Sequence, residues 1–443
     1  MSSTAADDRA QTLVIGAGIS GLTFAHALGP DADVLVLDSA DHVGGWLHTC
    51  SVAEEPGARF EVGAEAVQDQ QGDVARLCAS AGIETIRAPL SVSRRYLVRN
   101  GSLVALPTSL TGCITTNLLT VSGKLRALSE LFRDPRLALD GSVADFVRHR
   151  FGHELLEVLV DPFLSGVHAG DPEQISLRGA FPGLAALVEQ HGSVLRGLSQ
   201  RNPQAGSTFK PVGGMQRLPE GLARALGSRL RLNSVVRELR KAADGFVATT
   251  DAGSIHSRRA VVATDGPEAA RLLSRIAPIA ARELSAMSAE SLVAVVHGWK
   301  RDQVEHALDG FGFLAGSRER MATLGTLFSS TIDPSCSPEG NIVLRSLLGG
   351  ARRAELTEES DESLIRMTLD ETSPLLGLRG PPCWTRVLRY ACVIPRYDLD
   401  HPRRVAAIDA EVGLVPGLTL LCNSVHALGV SALVRRAISQ AAA

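Results

Sequence analysis

Short apolar runs and helical spacing alternate at the beginning of the chain. The apolar run Thr12–Ile15 stops at a glycine, and the apolar positions from Ile19 to Leu28 then recur at helical spacing. A second apolar run, Val34–Leu37, ends at the acidic residue Asp38. The pattern predicts a strand, a turn, a helix and a second strand, which is how a parallel α/β unit begins.

Three glycines in the predicted turn fit G-x-G-x-x-G: Gly16, Gly18 and Gly21. In such a turn the first glycine permits the bend, the second admits a pyrophosphate, and the third lets helix and strand pack closely. The helix N-terminus then offers N–H donors and a positive dipole end to the phosphates, and Asp38 is placed to accept a ribose hydroxyl. The predicted dinucleotide-binding residues of this unit are Gly16, Ala17, Gly18, Ile19, Ser20, Gly21, Asp38 and Ser39.

A chain of 443 residues is too long for one simple core, so we expect two or three domains. Residues 10–90, 206–290 and 405–443 share an α/β style and predict one discontinuous, Rossmann-like nucleotide-binding domain. Residues 91–205 have helical spacing, and residues 291–404 predict a mixed sheet. The expected fold class is therefore α/β, with a discontinuous nucleotide domain, a mixed-sheet substrate domain and a helical domain.

Periodicity predicts the individual elements of these segments. Helices are expected at 124–132, 143–151, 155–163, 218–226 and, after a loop, within 428–443, and strands at 230–239, 245–250, 260–264, 292–296, 342–348 and 418–421. The stretch Leu103–Leu119 is apolar with few charges, which fits either a buried surface of the substrate domain or a membrane-facing patch.

Composition limits which binding partners and which cellular compartment are expected. The net charge of −3 gives no basic excess for nucleic acid, and no apolar run is long enough to span a membrane. Seven scattered cysteines without a C-x-x-C pair argue against a disulfide framework and a zinc site. Because Met1–Ala10 also lacks the features of a secretory signal, we expect a cytoplasmic protein, and no metal is expected.

Further motifs indicate that the bound nucleotide is a flavin. Asp38 to Trp46 fits D-x-x-x-x-x-G-G-W, Phe60–Gly63 is F-E-V-G, and Gly213 begins a G-G-M turn. These segments resemble FAD-binding chains of the amine-oxidase superfamily. The resemblance implies FAD as the cofactor and adds contacts at Gly45, Trp46, Gly63, Ala64, Val236, Asn423, Leu428, Gly429 and Val430.

A more specific resemblance covers roughly residues 13–437. Val167–Ser176, Phe311–Leu314, Leu348–Ala351 and Ile394–Tyr397 are similar to segments of the oxygen-dependent protoporphyrinogen oxidases. The resemblance implies the six-electron oxidation of a porphyrinogen to a porphyrin by FAD and O₂ in haem biosynthesis. It implies that Arg95 pairs with a substrate propionate, that Phe311, Leu314 and Leu347 sandwich the macrocycle, and that Gly166 and Ala169 lie beside the flavin.

This chemistry matches the residue types. A porphyrinogen needs an apolar slot, and the planar guanidinium of Arg95 suits a carboxylate better than an ammonium would. The conjugation gained drives hydride loss, so no strong side-chain base is required. The start of the last helix, with Ser431 as the expected N-cap, would direct its positive end at the reduced flavin.

Alternatives remain open at this stage. The substrate is either protoporphyrinogen IX or coproporphyrinogen III, whose four carboxylates would need more cations. Glu65, Ser431 and Ala432 depart from the family pattern beside the flavin, which favours as a further alternative a diverged homologue that no longer turns over or that oxidises another metabolite. Peripheral contact with the inner face of the plasma membrane and a homodimer are both compatible with the sequence.

Overall fold

The computed structural model describes residues 8–107, 112, 115–134, 138–200, 207–426 and 428–443. Two seven-stranded sheets dominate this part of the chain. Across the first sheet the strands run in the order Leu230–Arg231, Val34–Leu37, Asp8–Ile15, Gly253–Val262, Gly245–Thr250 and Val236–Ala242, with Leu418–Leu420 beside Gly253–Val262.

The centre of the first sheet is parallel. Asp8–Ile15 pairs in parallel with Val34–Leu37 on one side and Gly253–Val262 on the other, and Leu418–Leu420 extends the parallel part. Val34–Leu37 is buried at all four positions, as expected for a parallel strand covered on both faces. The predicted strands at 12–15, 34–37, 245–250 and 418–421 are confirmed, and the one expected at 260–264 is the end of the longer strand Gly253–Val262.

The single strand predicted at 230–239 is wrong. Leu230–Arg231 pairs with Val34–Leu37 at one edge of the first sheet, and Val236–Ala242 forms the opposite edge. The residues between them cross the end of the sheet, where the N–H of Ser234 donates to the carbonyl of Asp38. Periodicity did not reveal this break because both halves are strand-like.

The second sheet is mixed. Its strands, in order, are Trp384–Pro395, Ala289–Lys300, Asn341–Gly349, Thr323–Leu327, Gly312–Leu314, Tyr96–Arg99 and Ser102–Ala105. The strands predicted at 292–296 and 342–348 are confirmed. The hairpin Tyr96–Ala105 corrects the prediction of a helical segment beginning at residue 91, because Tyr96 pairs in parallel with Phe313. There are also two small sheets. One pairs Thr49–Ser51 with Arg59–Glu61, and the other has the strand order Val67–Asp69, Ser207–Pro211 and Thr85–Arg87.

Helices cover the first sheet and form the bulk of the segment between residues 121 and 200. The α-helices are Ile19–Ala27, Asp73–Ser80, Val121–Leu128, Val143–Arg150, His153–Leu155, Asp161–His168, Leu177–Ala180, Pro182–His191, Val194–Gln200, Arg217–Leu226, Gly266–Leu273, Pro278–Ser285, Ser329–Ile332, Asp361–Leu376, His401–Gly413, Asn423–His426 and Val430–Ala441. A π-helical turn, Leu156–Val160, joins two of them, and the helices predicted at 124–132, 143–151 and 218–226 are confirmed. The one expected at 155–163 is this turn and the start of Asp161–His168.

The apolar stretch Leu103–Leu119 is partly buried where the structure describes it, with Ala105, Thr115 and Asn117 exposed. Leu118 is buried, and Val104, Leu106 and Leu119 pack against the same cluster as Leu97 and Val158. Residues 108–111, 113 and 114 of the stretch lie outside the described residues. Within the described ranges, no helix combines the length and apolarity needed to cross a membrane.

A buried ionic cluster joins the two small sheets to the residue that follows helix Ser329–Ile332. The Nζ of Lys210 lies 2.8 Å from Glu61 Oε1 and 3.3 Å from Asp333 Oδ2, and all three side chains are almost fully buried. Although burial alone would lower the pKa of Lys210, the neighbouring Glu65, Glu61 and Asp333 raise it well above its usual range. Lys210 therefore stays charged beside acids from two parts of the chain, Glu61 with Glu65 and Asp333.

We expect Lys210→Met to lower the free energy of unfolding by about 3–5 kcal/mol, because it leaves buried carboxylates without their cation. Urea denaturation measures the loss. Arg237→Met is the matched control, since the Arg237–Asp251 pair is exposed and its removal should cost under about 1 kcal/mol. Equal losses in the two variants would contradict this account of the cluster.

Candidate active site

The glycine turn has the geometry that phosphate binding requires. Gly16 has φ +111°, and a Cβ there would lie 2.5 Å from the carbonyl oxygen of Ala263, so no side chain fits. A Cβ on Gly21 would collide with the Gly16 carbonyl, which shows how closely the helix Ile19–Ala27 packs on the turn. A Cβ on Gly18, in contrast, would meet no atom within 4 Å. Gly18 thus borders open space at a helix N-terminus that no side chain caps.

Asp38 lies beside this turn, as predicted. Its Oδ2 accepts the N–H of Ala17 at 2.5 Å, and its Oδ1 accepts the N–H of Ala40 at 2.8 Å. Each carboxylate oxygen has a second lone pair for a ribose hydroxyl. Ser39 is exposed next to it. The carboxylate therefore also fixes the backbone of the turn, a role that the motif did not predict.

The second glycine pair, Gly44 and Gly45, lies beside the glycine turn. The N–H of Gly44 donates to the carbonyl of Ala17 at 2.9 Å. Gly45 has φ +56° and open space at its Cβ position, and Trp46 is half-exposed with its edge against Tyr390. Gly63 packs against the backbone of Trp46. The expected contacts at Gly45, Trp46 and Gly63 are thus contiguous.

The end of the chain closes the site. Val430–Ala441 begins after Gly429, which has φ +92° and no atom within 4 Å of its Cβ position. Ser431 is not the N-cap that the sequence predicted, because its hydroxyl donates to the carbonyl of Gln68. Gly429 takes that position without a side-chain cap, so the N–H donors of the first turn face outward.

The two ends of the chain meet in one buried cluster. Ile19 is buried in it, and Ala64 and Val430 pack against it. Ser20 is also buried, whereas Leu428 is half-buried just before the last helix. The carbonyl of Asn423 accepts the hydroxyl of Tyr397 at 2.6 Å.

Val236 lies deeper than the other predicted contacts. Its side chain belongs to the buried cluster that contains Ile15 and Leu37, and its carbonyl accepts Nη2 of Arg271 at 2.6 Å. Its expected backbone contact with the cofactor stays a prediction.

Glu65, which departs from the family pattern, lies against a buried cation. Its side chain is buried, with Oε2 3.6 Å from Nη1 of Arg345. Burial raises the pKa of Glu65, while the charges of Lys210 and Arg345 act in the opposite direction. Open space at Gly18, Gly45 and Gly429, with two uncapped helix N-termini, fits an extended dinucleotide such as FAD.

A row of apolar side chains crosses the second sheet. In register, Leu314 pairs with Gly325 and Gly325 pairs with Leu347, so all three lie side by side on three neighbouring strands. Residues directly opposite each other project to the same face of a sheet. A Cβ on Gly325 would lie 3.0 Å from Cδ2 of Leu314, so the Leu314 side chain leans over Gly325. The surface formed by Leu314, Gly325 and Leu347 is called the slot below. Leu97 extends the row at one end and Ala294 at the other.

Helix Asp161–His168 lies along this row. Gly166 packs directly against the side chain of Leu314. Ala169 ends the helix in a left-handed conformation with φ +50°, and it shares a buried cluster with Leu347. His168 is buried against Phe181, and burial lowers its pKa to about 4. The structure therefore brings Gly166, Ala169, Leu314 and Leu347 together, while their expected contacts with the flavin and the macrocycle stay predictions.

Arg95 stands at one end of the slot. The hydrogen bonds of the hairpin continue through its carbonyl, which accepts the N–H of Leu106, so Arg95 projects to the same face as Leu97. Its guanidinium lies 5.3 Å from the ring centroid of Phe311. Arg94 instead forms an ion pair with Asp309. Among the described residues no carboxylate pairs with Arg95, and burial lowers its pKa.

Sequence reasoning missed Arg345, Tyr390 and Gly325. Arg345 donates to the carbonyls of Val62 and Gly63, and Tyr390 also donates to Val62. A signal for Arg345 was present, because a single charge inside the apolar run Ile342–Leu348 needs buried partners. Gly325 gives no such signal, since its role depends on strand register.

We predict that Gly18→Val abolishes FAD binding, because the branched side chain would fill the open space that the pyrophosphate needs. The flavin absorbance of the purified protein measures this. Gly413→Val is the matched control, since Gly413 also has open space at its Cβ position but lies at the end of another helix. Retained flavin in Gly18→Val would refute the assignment of the phosphate site.

Comparisons with known proteins agree with this geometry. The family model described as flavin containing amine oxidoreductase matches residues 19–398. The mitochondrial protoporphyrinogen oxidase of Nicotiana tabacum is 32% identical, over 94% of this chain and 91% of that protein. The coproporphyrinogen III oxidase of Bacillus subtilis is 24% identical, over 96% of this chain and 95% of that protein.

Solved structures share the fold. A proposed protoporphyrinogen oxidase from Exiguobacterium superimposes with a TM-score of 0.81 at 23% identity, covering 99% of this chain and 98% of that one. A putrescine oxidase variant superimposes with a TM-score of 0.76 at 18% identity, covering 99% of both chains. The sequence matches and this shared fold show that the chain is an FAD-dependent oxidoreductase of the flavin-containing amine oxidoreductase family and belongs to its protoporphyrinogen oxidase members.

Proposed function

We propose that the protein oxidises protoporphyrinogen IX to protoporphyrin IX in haem biosynthesis, with O₂ as the electron acceptor. The observation that carries the proposal is the apolar row Leu314–Gly325–Leu347, which ends at a half-buried arginine, Arg95, without an acidic partner among the described residues. The names of the tobacco and Bacillus relatives support the substrate class.

The residues of the slot each have a task in this reaction. Leu314 and Leu347 would hold the macrocycle and exclude water, while the close packing of Gly166 on Leu314 would fix the position of that side chain. Arg95 would bind a propionate through two parallel hydrogen bonds. When bound, FAD supplies the hydride acceptor. The side chains need only orient the substrate, because aromatisation provides the driving force.

The charges around the slot favour two carboxylates over four. Arg345, on the same face of the sheet, is committed to the carbonyls of Val62 and Gly63. Arg352 is committed to Asp161 at 2.7 Å. Arg95 is thus the cation at the slot that remains available in the described part of the chain. Coproporphyrinogen III, with four carboxylates, would leave more charges without partners.

We also propose that the protein works in the cytoplasm and contacts an anionic membrane surface. Val121, Leu125, Leu128 and Phe132 follow one another at helical spacing and are between 56% and 86% exposed. These four residues form an apolar stripe with Arg133 exposed at its end. Such a stripe would insert into the interface while the arginine faces lipid phosphates.

We expect Arg95→Ala to raise KM for protoporphyrinogen IX about 10–100-fold, since a charge-assisted pair with the carboxylate is lost. Flavin content should stay unchanged, because Arg95 is not part of the FAD seat. The fluorescence of the porphyrin formed in an aerobic assay measures the oxidation of each substrate. The wild-type protein should oxidise protoporphyrinogen IX in preference to coproporphyrinogen III.

Arg94→Ala is the control for this test, because Arg94 already pairs with Asp309 and its loss should leave KM nearly unaltered. An unchanged KM in Arg95→Ala would refute the role of Arg95. A flavin-loaded wild-type protein that oxidises neither porphyrinogen would refute the proposed function, and a protein without flavin would favour a diverged homologue.

For the membrane contact, Leu125→Glu combined with Phe132→Glu should abolish sedimentation with vesicles that contain phosphatidylglycerol. Leu414→Glu is the control, since Leu414 is equally exposed but lies outside the stripe. Equal sedimentation of the wild-type and double-variant proteins would contradict the proposed docking surface.

A further inference from the structure

Arg345 is the one charged residue of the strand Asn341–Gly349, and its side chain is buried. A guanidinium in such a place is tolerated only where its donors find acceptors. It lies two residues before Leu347, so it projects to the same face of the sheet as the slot. Arg345 therefore extends from the slot side of the sheet towards the nucleotide domain.

The acceptors of Arg345 are two consecutive backbone carbonyls. Nη1 donates to Gly63 and Nη2 donates to Val62, both at 2.8 Å. Tyr390, on the strand Trp384–Pro395, donates its hydroxyl to the same carbonyl of Val62 at 2.7 Å. Two strands of the substrate sheet thus hold one dipeptide, Val62–Gly63, which leads into the predicted flavin contact at Ala64.

The clamp, defined as Arg345, Tyr390 and Val62–Gly63, is rigid for a physical reason. A forked guanidinium bound to two carbonyls has little rotational freedom. The carboxyl group of Glu65 is buried beside the guanidinium, 3.6 Å from Nη1 of Arg345. The edge of Trp46 packs against the ring of Tyr390 at a centroid distance of 5.8 Å.

We propose that Arg345 and Tyr390 are positioning residues for hydride transfer, which hold the flavin-bearing segment Val62–Gly63 at a fixed separation from the slot beside Leu347. The proposal rests on the proposed function, because it presumes that substrate lies on the Leu314–Leu347 row. A shift of about 1 Å between reacting groups can cost about 100-fold in rate. The clamp is the direct link through which the second large sheet sets that separation.

Arg345→Lys keeps the charge but loses the fork, and Tyr390→Phe removes a single hydroxyl donor. We expect kcat to fall about 10–100-fold in Arg345→Lys and by a smaller factor in Tyr390→Phe. KM and flavin content should stay within about twofold of wild type, because neither residue lies at the propionate site or the pyrophosphate site. In the holoprotein, hydrogen exchange of the Val62–Ala64 amides should become faster in both variants.

Arg386→Lys is the control, since Arg386 lies on the same strand as Tyr390 but pairs with Glu54 at the surface. It should leave kcat and amide exchange as in wild type. If Arg345→Lys does not fold, Tyr390→Phe decides the question alone. A wild-type kcat in the folded variants would overturn the proposal, even if their amide exchange is faster. A wild-type protein inactive on porphyrinogens would instead refute the proposed function, and unaltered amide exchange in the variants would still overturn the clamp.

Discussion

The fold depends on the two carbonyls of Val62 and Gly63, which face the substrate sheet and are bound there by Arg345 and Tyr390. A buried carbonyl without a donor is costly, and so is a buried guanidinium without acceptors. Each group therefore requires the other to be in place. This mutual requirement fixes the Val62–Gly63 segment against the substrate sheet more specifically than apolar contact alone would.

The other buried charges near this segment also require partners. Lys210 neutralises Glu61 and Asp333, and Glu61 in turn accepts the N–H of Met215 at 3.0 Å. The G-G-M turn, the strand Arg59–Glu61 and the segment at Asp333 are thereby tied to one buried cation. Arg345 connects these buried charges with the slot, because it lies 3.6 Å from Glu65 and two residues before Leu347 on one strand.

Elements with a strong local signal were predictable from the sequence. The glycine turn, the strand Val34–Leu37 and the carboxylate of Asp38 are where the motif placed them, because each depends on residues near in sequence. The division of 230–239 into two edges and the replacement of Ser431 by Gly429 as N-cap depend on the path of the chain in space. Periodicity carries no information on that path.

The slot shows the same distinction. Arg95, Leu314 and Leu347 were identified through a resemblance, and the structure brings them to one face of the sheet. The part played by Gly325 follows from the register of three strands, and that of Arg345 follows from its reach across an interface. Neither strand register nor a contact across an interface can be predicted from the sequence of a single strand. A lone arginine in an apolar run does, however, indicate that buried partners must exist.

The central claim is that the cofactor seat and the slot face each other across the Val62–Gly63 segment. A crystal structure of the protein with FAD and a porphyrin product tests it most directly. The account predicts pyrophosphate at the N–H groups next to Gly18, the flavin ring beside Gly63, and the macrocycle on the Leu314–Leu347 row with a propionate on Arg95. A porphyrin bound elsewhere, or a flavin ring turned away from Gly63, would contradict it.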